Sequence, residues 1–264
     1  MNHIKKIIFA LLLAVALNAC SDDQDENQAS QPADVLYNKA RDAFAEKKYK
    51  DAIEAFDEVD RQHPYSEWAP RAQIMAAYAY YESEKYDDAI LALDRFVKLH
   101  PGHESAAYSY YLTALCYYEQ ISDVGRDQGM TEQALQALSD VIKRFPDSDY
   151  ARDARLKLDL VNDHLAGKEM MVGRYYLNRD EYLSAANRFK LVIDKYQTTS
   201  HVPEALHRLV ETYLKLGVRE EAKRYAAVLG HNYPGSVWYR YSYSLLEGKD
   251  LTEKPKNGLL GNIF

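Results

Sequence analysis

The chain is poor in the residues that staple or interrupt a fold, with 2 cysteines, 8 prolines and 11 glycines in 264 residues. So few cysteines exclude a disulfide framework, and stability has to come from packing. Positive charge is also in deficit: 33 Lys and Arg face 40 Asp and Glu, for a formal net charge of -7, or -9 once Lys5 and Lys6 are discounted as part of a removed segment. That balance excludes a nucleic-acid surface. Valine and isoleucine sit singly on helical stripes and hairpin dipeptides are missing from the repeats, which excludes a sheet. So are G-x-G-x-x-G, the phosphate-binding lysine loop, H-E-x-x-H and C-x-x-C. His100 and His103 flank a Pro-Gly turn, but no cysteine nearby completes a tetrahedral zinc set. Asp22, Asp23, Asp25 and Glu26 lack the glycine and terminal glutamate of a calcium loop. No enzymatic activity, cofactor or metal is expected.

The one long apolar run is Ile7 to Leu17, preceded by Lys5 and Lys6 and followed by Leu17-Asn18-Ala19-Cys20. Eleven apolar residues are too few to span a bilayer in a mature protein, and the order of basic, apolar and small residues is that of a signal peptide over residues 1–19. The tetrapeptide resembles the lipobox of bacterial lipoproteins, although Asn18 is unusual at its place. The resemblance implies lipidation of Cys20, with palmitate among the acyl chains, and Ser21 implies sorting to the outer membrane on its periplasmic face. Several chains, at about 0.8 kcal/mol per buried methylene, hold a protein far better than one. Residues 21–33 contain no large apolar side chain, so residues 20–33 read as a lipidated cysteine and an acidic tether whose ends lie on the order of 20 Å apart.

The rest of the chain repeats. Tyr49-Lys50-Asp51-Ala52, Tyr86-Asp87-Asp88-Ala89, Thr131-Glu132-Gln133-Ala134, Tyr182-Leu183-Ser184-Ala185 and Arg219-Glu220-Glu221-Ala222 align on their alanine, and Pro64, Pro101, Pro146, Gln197 and Pro234 stand twelve residues beyond. A small residue lets two helices approach, a large one four later (Phe56, Leu93, Leu138 or Phe189) lies one turn along the same face, and the proline stops the helix. In the first unit Leu36, Tyr37, Ala40 and Phe44 form the stripe of the partner helix.

This pattern resembles the tetratricopeptide repeat over residues 34 to 234. The alanines are 37, 45, 51 and 37 residues apart. The first excess falls on the polar loop Ser122 to Gly129, and the second implies a long helix from Asp149 to Leu177, with a bend at Gly167 or Gly173. The expected fold is all-α, a superhelical solenoid of about five helix pairs over residues 34–247, capped by a segment from Ser236 to Leu246. Residues 248–264 are expected to form a loose tail. Cys116, within Ala114-Leu115-Cys116-Tyr117-Tyr118, reads as a small buried hydrophobe.

Several stretches carry the resemblance beyond generic repeats: Phe56 to Ala69, with His63-Pro64-Tyr65-Ser66-Glu67-Trp68; Leu112 to Tyr118; Val124-Gly125-Arg126-Asp127-Gln128; and Val172-Gly173-Arg174-Tyr175-Tyr176-Leu177. Together with the lipobox they are similar to the lipoprotein family of the Bam machinery, which assembles β-barrel proteins in the outer membrane of Gram-negative bacteria. The resemblance implies a non-catalytic scaffold that docks on the POTRA domains of the barrel protein BamA, sits with other Bam lipoproteins and helps receive and insert unfolded outer-membrane proteins. A repeat lipoprotein of pilus assembly or cell-wall division would share the same anchor and solenoid. Across the chain, 23 tyrosines against 7 phenylalanines suit half-buried surfaces. Ile74, Tyr78 and Tyr81, with Tyr111 and Tyr118 in the next unit, are the candidates for a peptide-binding groove on the first helices. The competing reading is that these rings fill the core, with Tyr80, Tyr110 and Tyr117 on the neighbouring face.

Overall fold

The computed structural model describes residues 31–248; the signal segment, Cys20, the tether up to residue 30 and the tail beyond Gly248 lie outside the described residues. The described residues form eleven helices and no strand, in two compact units that divide between Ala72 and Gln73.

The first unit is the hairpin of α1 (Ala33–Ala45) and α2 (Tyr49–Gln62), with the first turn of α3 (Trp68–Glu82). Leu36 and Ala40 of α1 and Ala52, Phe56 and Val59 of α2 are buried. Tyr37 closes the pair, its ring 5.5 Å from Phe56 and 4.9 Å from Trp68.

The second unit continues with α4 (Tyr86–Leu99), α5 (Ala106–Glu119), α6 (Gly129–Arg144), α7 (Asp149–Asn178), α8 (Tyr182–Lys195), α9 (Val202–Lys215), α10 (Arg219–Asn232) and α11 (Val237–Leu246). Each helix from α4 to α10 packs on the next, and α11 packs on both α9 and α10. The described residues form a helical repeat solenoid whose tenth helix is followed by a capping eleventh.

One column of side chains sets the register. Ala52, Ala89, Ala134, Ala185 and Ala222 are all fully buried, as are or nearly are the large residues four later, Phe56, Leu93, Leu138 and Phe189. A second column, twenty residues beyond each alanine, is equally closed: Ala72, Ser109, Ala154, Ala205 and Ser242. Both columns place a side chain of two heavy atoms at most where helices cross, which permits close axes.

The turn between the helices of a pair is also periodic. Lys47, Glu84, Asp180 and Gly217, each five residues before its alanine, have φ of 59°, 59°, 60° and 76°. The next residue's amide reaches back five positions, as Lys48 to Ala43 at 3.0 Å and Glu181 to Tyr176 at 3.0 Å. This left-handed turn satisfies carbonyls that the ending helix leaves bare. The second helices end equally uniformly: the amides of His63, His100, Phe145, Tyr196 and Tyr233 donate to the carbonyls four back. Gln197 follows Tyr196 where the other units have proline, yet the turn forms, so proline reinforces this stop without being required for it.

Both departures from the period are ordered, and they meet. In the 122–129 loop the amides of Gly125 and Gly129 donate to the carboxylates of Asp123 and Asp127. Lys168 of α7 donates to the carbonyls of Gly125 and Arg126, at 3.3 and 3.2 Å. Helix α7 is uninterrupted for 30 residues, capped by Ser148, whose hydroxyl accepts from Ala151. Its first half, with Ala154, Val161 and Leu165, packs into the core of α5 and α6, and its second half, with Ala166, Met170 and Leu177, into that of α8 and α9. The helix runs through both glycines, and at Gly173 the reason for glycine is contact: a Cβ there would stand 2.4 Å from the Phe189 ring. Gly173→Ala should therefore lower stability by about 1–3 kcal/mol, read by thermal denaturation against Gly102→Ala, whose Cβ meets open space.

The cap is held through a buried histidine. His207 of α9 lies 2.9 Å from the Ser242 hydroxyl, with the Trp238 ring 5.2 Å away, and burial, helped by Arg208, pushes its pKa down to about 3. A histidine whose folded pKa lies below its unfolded value gives stability that is complete above pH 6.5 and lost as pH falls toward 3. Between pH 6.5 and 5 the loss should approach about 2 kcal/mol. Denaturant melts of the protein and of His207→Gln across that range check this, the variant giving the flatter profile.

Candidate functional site

The first helices of successive pairs, α3, α5 and α7, carry a continuous set of half-buried tyrosines. On α3 the rings of Tyr78 and Tyr81, one turn apart, lie 6.1 Å apart and nearly parallel. Tyr81 meets Tyr86, at the start of α4, edge-on at 5.7 Å. On α5, Tyr108 and Tyr111 both reach Tyr150 in the first turn of α7, at 5.6 and 5.3 Å. The Tyr111 hydroxyl donates to the carboxylate of Asp153. Lys157, one turn further along α7, lies 3.7 Å from Asp153 and 5.0 Å over the Tyr118 ring.

Burial pushes the Tyr81 hydroxyl up to about 12, and pushes those of Tyr108 and Tyr111 upward too, the last with the help of its bond to Asp153. All three are neutral hydrogen-bonding groups at any physiological pH. The arrangement offers rigid aromatic area with hydroxyl tips and has no nucleophile. Cys116 beneath it is fully buried, and its thiol is pushed up to about 12 by burial. Among the described residues no group of three or more His, Cys, Asp or Glu side chains could hold a metal.

The five residues singled out in sequence fall differently. Ile74 is 8% exposed and packs with Ala77, Leu93, Phe96 and Leu112, so it offers a ligand little surface. Tyr78 and Tyr81 lie on the rim of that same cluster, and Tyr111 and Tyr118 on the rim of the next, around Ala114, Leu138 and Val161. Tyr81 and Tyr111 are near enough to interact electrostatically. Tyr118 is set apart under Lys157. Sequence reasoning missed Tyr108, although its place three before Tyr111 marks the same face. It also missed Tyr150, Asp153 and Lys157, which belong to the next unit and have no counterpart offset.

Further along, the same face changes chemistry. Arg174 of α7 pairs with Glu204 of α9 at 3.1 Å, Glu204 with Arg208 at 3.3 Å, and Arg208 with Glu211 at 2.9 Å. Arg208 also lies 5.7 Å over Trp238 of the capping helix. A tyrosine surface thus gives way to a ladder of ion pairs.

The YfiO family, described as an outer membrane lipoprotein, matches residues 29–229. A protein of Caulobacter vibrioides named outer membrane protein assembly factor BamD is 50% identical over 247 residues, which cover 92% of this chain and 81% of that one. The chain belongs to the BamD family. Its BamD relative in Rickettsia prowazekii is 47% identical, with 92% and 97% of the two chains covered, and that in Neisseria meningitidis serogroup A is 32% identical, with 90% and 95% covered. A tetratricopeptide protein of Thermus thermophilus of known structure is 22% identical with a TM-score of 0.38, covering 81% of this chain and all of that one. Membership in the BamD family assigns the chain a role in outer-membrane protein assembly. No helix among the described residues is long and apolar enough to cross a membrane.

Proposed function

We propose that the chain is a non-catalytic scaffold, held on the periplasmic face of the outer membrane by acyl chains on Cys20. In this reading it docks on the POTRA domains of BamA beside other Bam lipoproteins and receives unfolded outer-membrane proteins on the tyrosine surface of α3, α5 and α7. The observation that carries the reading is that surface, in a chain of a family of assembly factors. Tyr78, Tyr81, Tyr108 and Tyr111 present rigid rings that lose little entropy on binding, and their hydroxyls can reach the backbone of an extended peptide. Aromatic side chains of an unfolded barrel strand would stack on them. The tether supports the same reading, since its short reach keeps the scaffold near the membrane into which the barrels go.

Replacing Tyr78 and Tyr111 together with Ala tests the surface. Binding of a peptide from the C-terminus of a barrel protein should weaken by about tenfold or more, with helicity and melting temperature nearly unchanged. Unaltered binding, or unfolding as the main effect, would count against it. The anchor is tested separately with Cys20→Ser: the variant should lose palmitate labelling and leave the membrane fraction, and retention of a labelled, processed variant would refute lipidation at this residue. Purification from detergent-solubilised membranes should bring down the barrel protein with the unsubstituted chain.

A further inference from the structure

Between α4 and α5 the second unit holds an open groove of 480 Å³ that the tyrosine surface does not use. Leu93 and Val97 lie along its floor, and Tyr110 and Tyr117 form one wall. On its rim Leu91 is 70% exposed, a large side chain left in water on an otherwise ordinary helix face. Asp87 and Asp94 flank Leu91, seven residues apart and so two turns along the same face. Asp87 takes part in no ion pair among the described residues, and both carboxylates help burial to raise the pKa of Tyr117. At the other end Arg144 lies 4.9 Å over Tyr110. The groove therefore carries a carboxylate outside any such ion pair where Asp87 meets Tyr117, while at the Tyr110 end Asp94 is already paired with Lys98 and Arg144 covers the ring.

We propose that this groove holds the chain's own tail, Lys254–Phe264. That segment carries Lys254 and Lys256, no acidic residue, and then Leu259, Leu260, Ile263 and Phe264. Entered from the Asp87 end, its order sets the lysines at Asp87 and the apolar residues over Leu91, Leu93 and Val97. The topology brings it to that end. The start of α4 and the end of α5 share the edge on which helix pairs turn, and α11 ends on the corresponding edge, where Arg219 at the start of α10 donates to the Leu246 carbonyl. Ten residues, 249–258, extend about 33 Å. From α11 back to α5 there are three steps between first helices, at about 9–10 Å each. The lysines would neutralise Asp87, Asp94 being paired with Lys98 already, and the apolar residues would cover Leu91 and the floor.

Photo-crosslinking in the full-length protein tests this, with p-benzoylphenylalanine in place of Ile263. The expected product is an intramolecular crosslink that peptide mapping places on α4 or α5. Its yield should fall at least fivefold in Asp87→Lys, and likewise in Leu91→Glu, with helicity unchanged. Two independent variants guard against one failing to fold. Crosslinks to the tyrosines of α3 or α7, a crosslinked dimer, no crosslink, or a yield indifferent to both variants would each overturn the assignment.

Discussion

Where two helices of a pair cross, the side chain between them is a single methyl group, and the other contacts of the pair follow from that spacing. With Ala52, Ala89, Ala134, Ala185 and Ala222 fully enclosed, the axes come close enough for Phe56, Leu93, Leu138 and Phe189 to fill the space one turn on. Filling matters because a void or an excess methylene at such a site costs about 1–3 kcal/mol or more. The same spacing fixes the rotation of each first helix. Residues such as Tyr78, Tyr81, Tyr108 and Tyr111 are left half-buried on its far side, with rings supported by their neighbours. The candidate site is in this sense a by-product of the alanines.

The recurrence of alanine and proline made the pairing and register legible, because both residues act through local sterics that a sequence displays directly. The second column of small residues escaped notice because alanine and serine are mixed in it, and only burial shows Ser109 and Ser242 to be equivalent to Ala72 and Ala154. The left-handed turn was illegible for a similar reason: only Gly217 advertises it, while Lys47, Glu84 and Asp180 adopt the same φ because packing on both sides imposes it. Within the site, helical spacing grouped Tyr78 with Tyr81. It could not show that Asp153 and Lys157 hold Tyr111 and Tyr118, since those contacts join units separated by an irregular number of residues. Ile74 shares a helix with Tyr78, yet faces the core. One turn of periodicity does not resolve the boundary between a rim and an interior.

The two insertions suggest how a repeat protein acquires individuality. Relative to the basic unit, the 122–129 loop and the extra turns of α7 are surplus, yet Lys168 and Gly167 of α7 meet the carbonyls of Gly125 and Arg126 and the side chain of Val124. The lengthened helix thus supplies the donor that the loop's carbonyls need. Because α7 also serves two hydrophobic clusters, it couples the middle of the second unit to its end, and the His207–Ser242 contact extends that coupling to the cap.

The first described residue, Gln31, accepts a hydrogen bond from the His63 ring at 2.6 Å, which ties the beginning of α1 to the end of α2. In mechanical terms this is a clamp at the point where a leash would be attached. Tension arriving along the amino-terminal chain would meet this contact with the end of α2 before it could peel the first turn of α1 away.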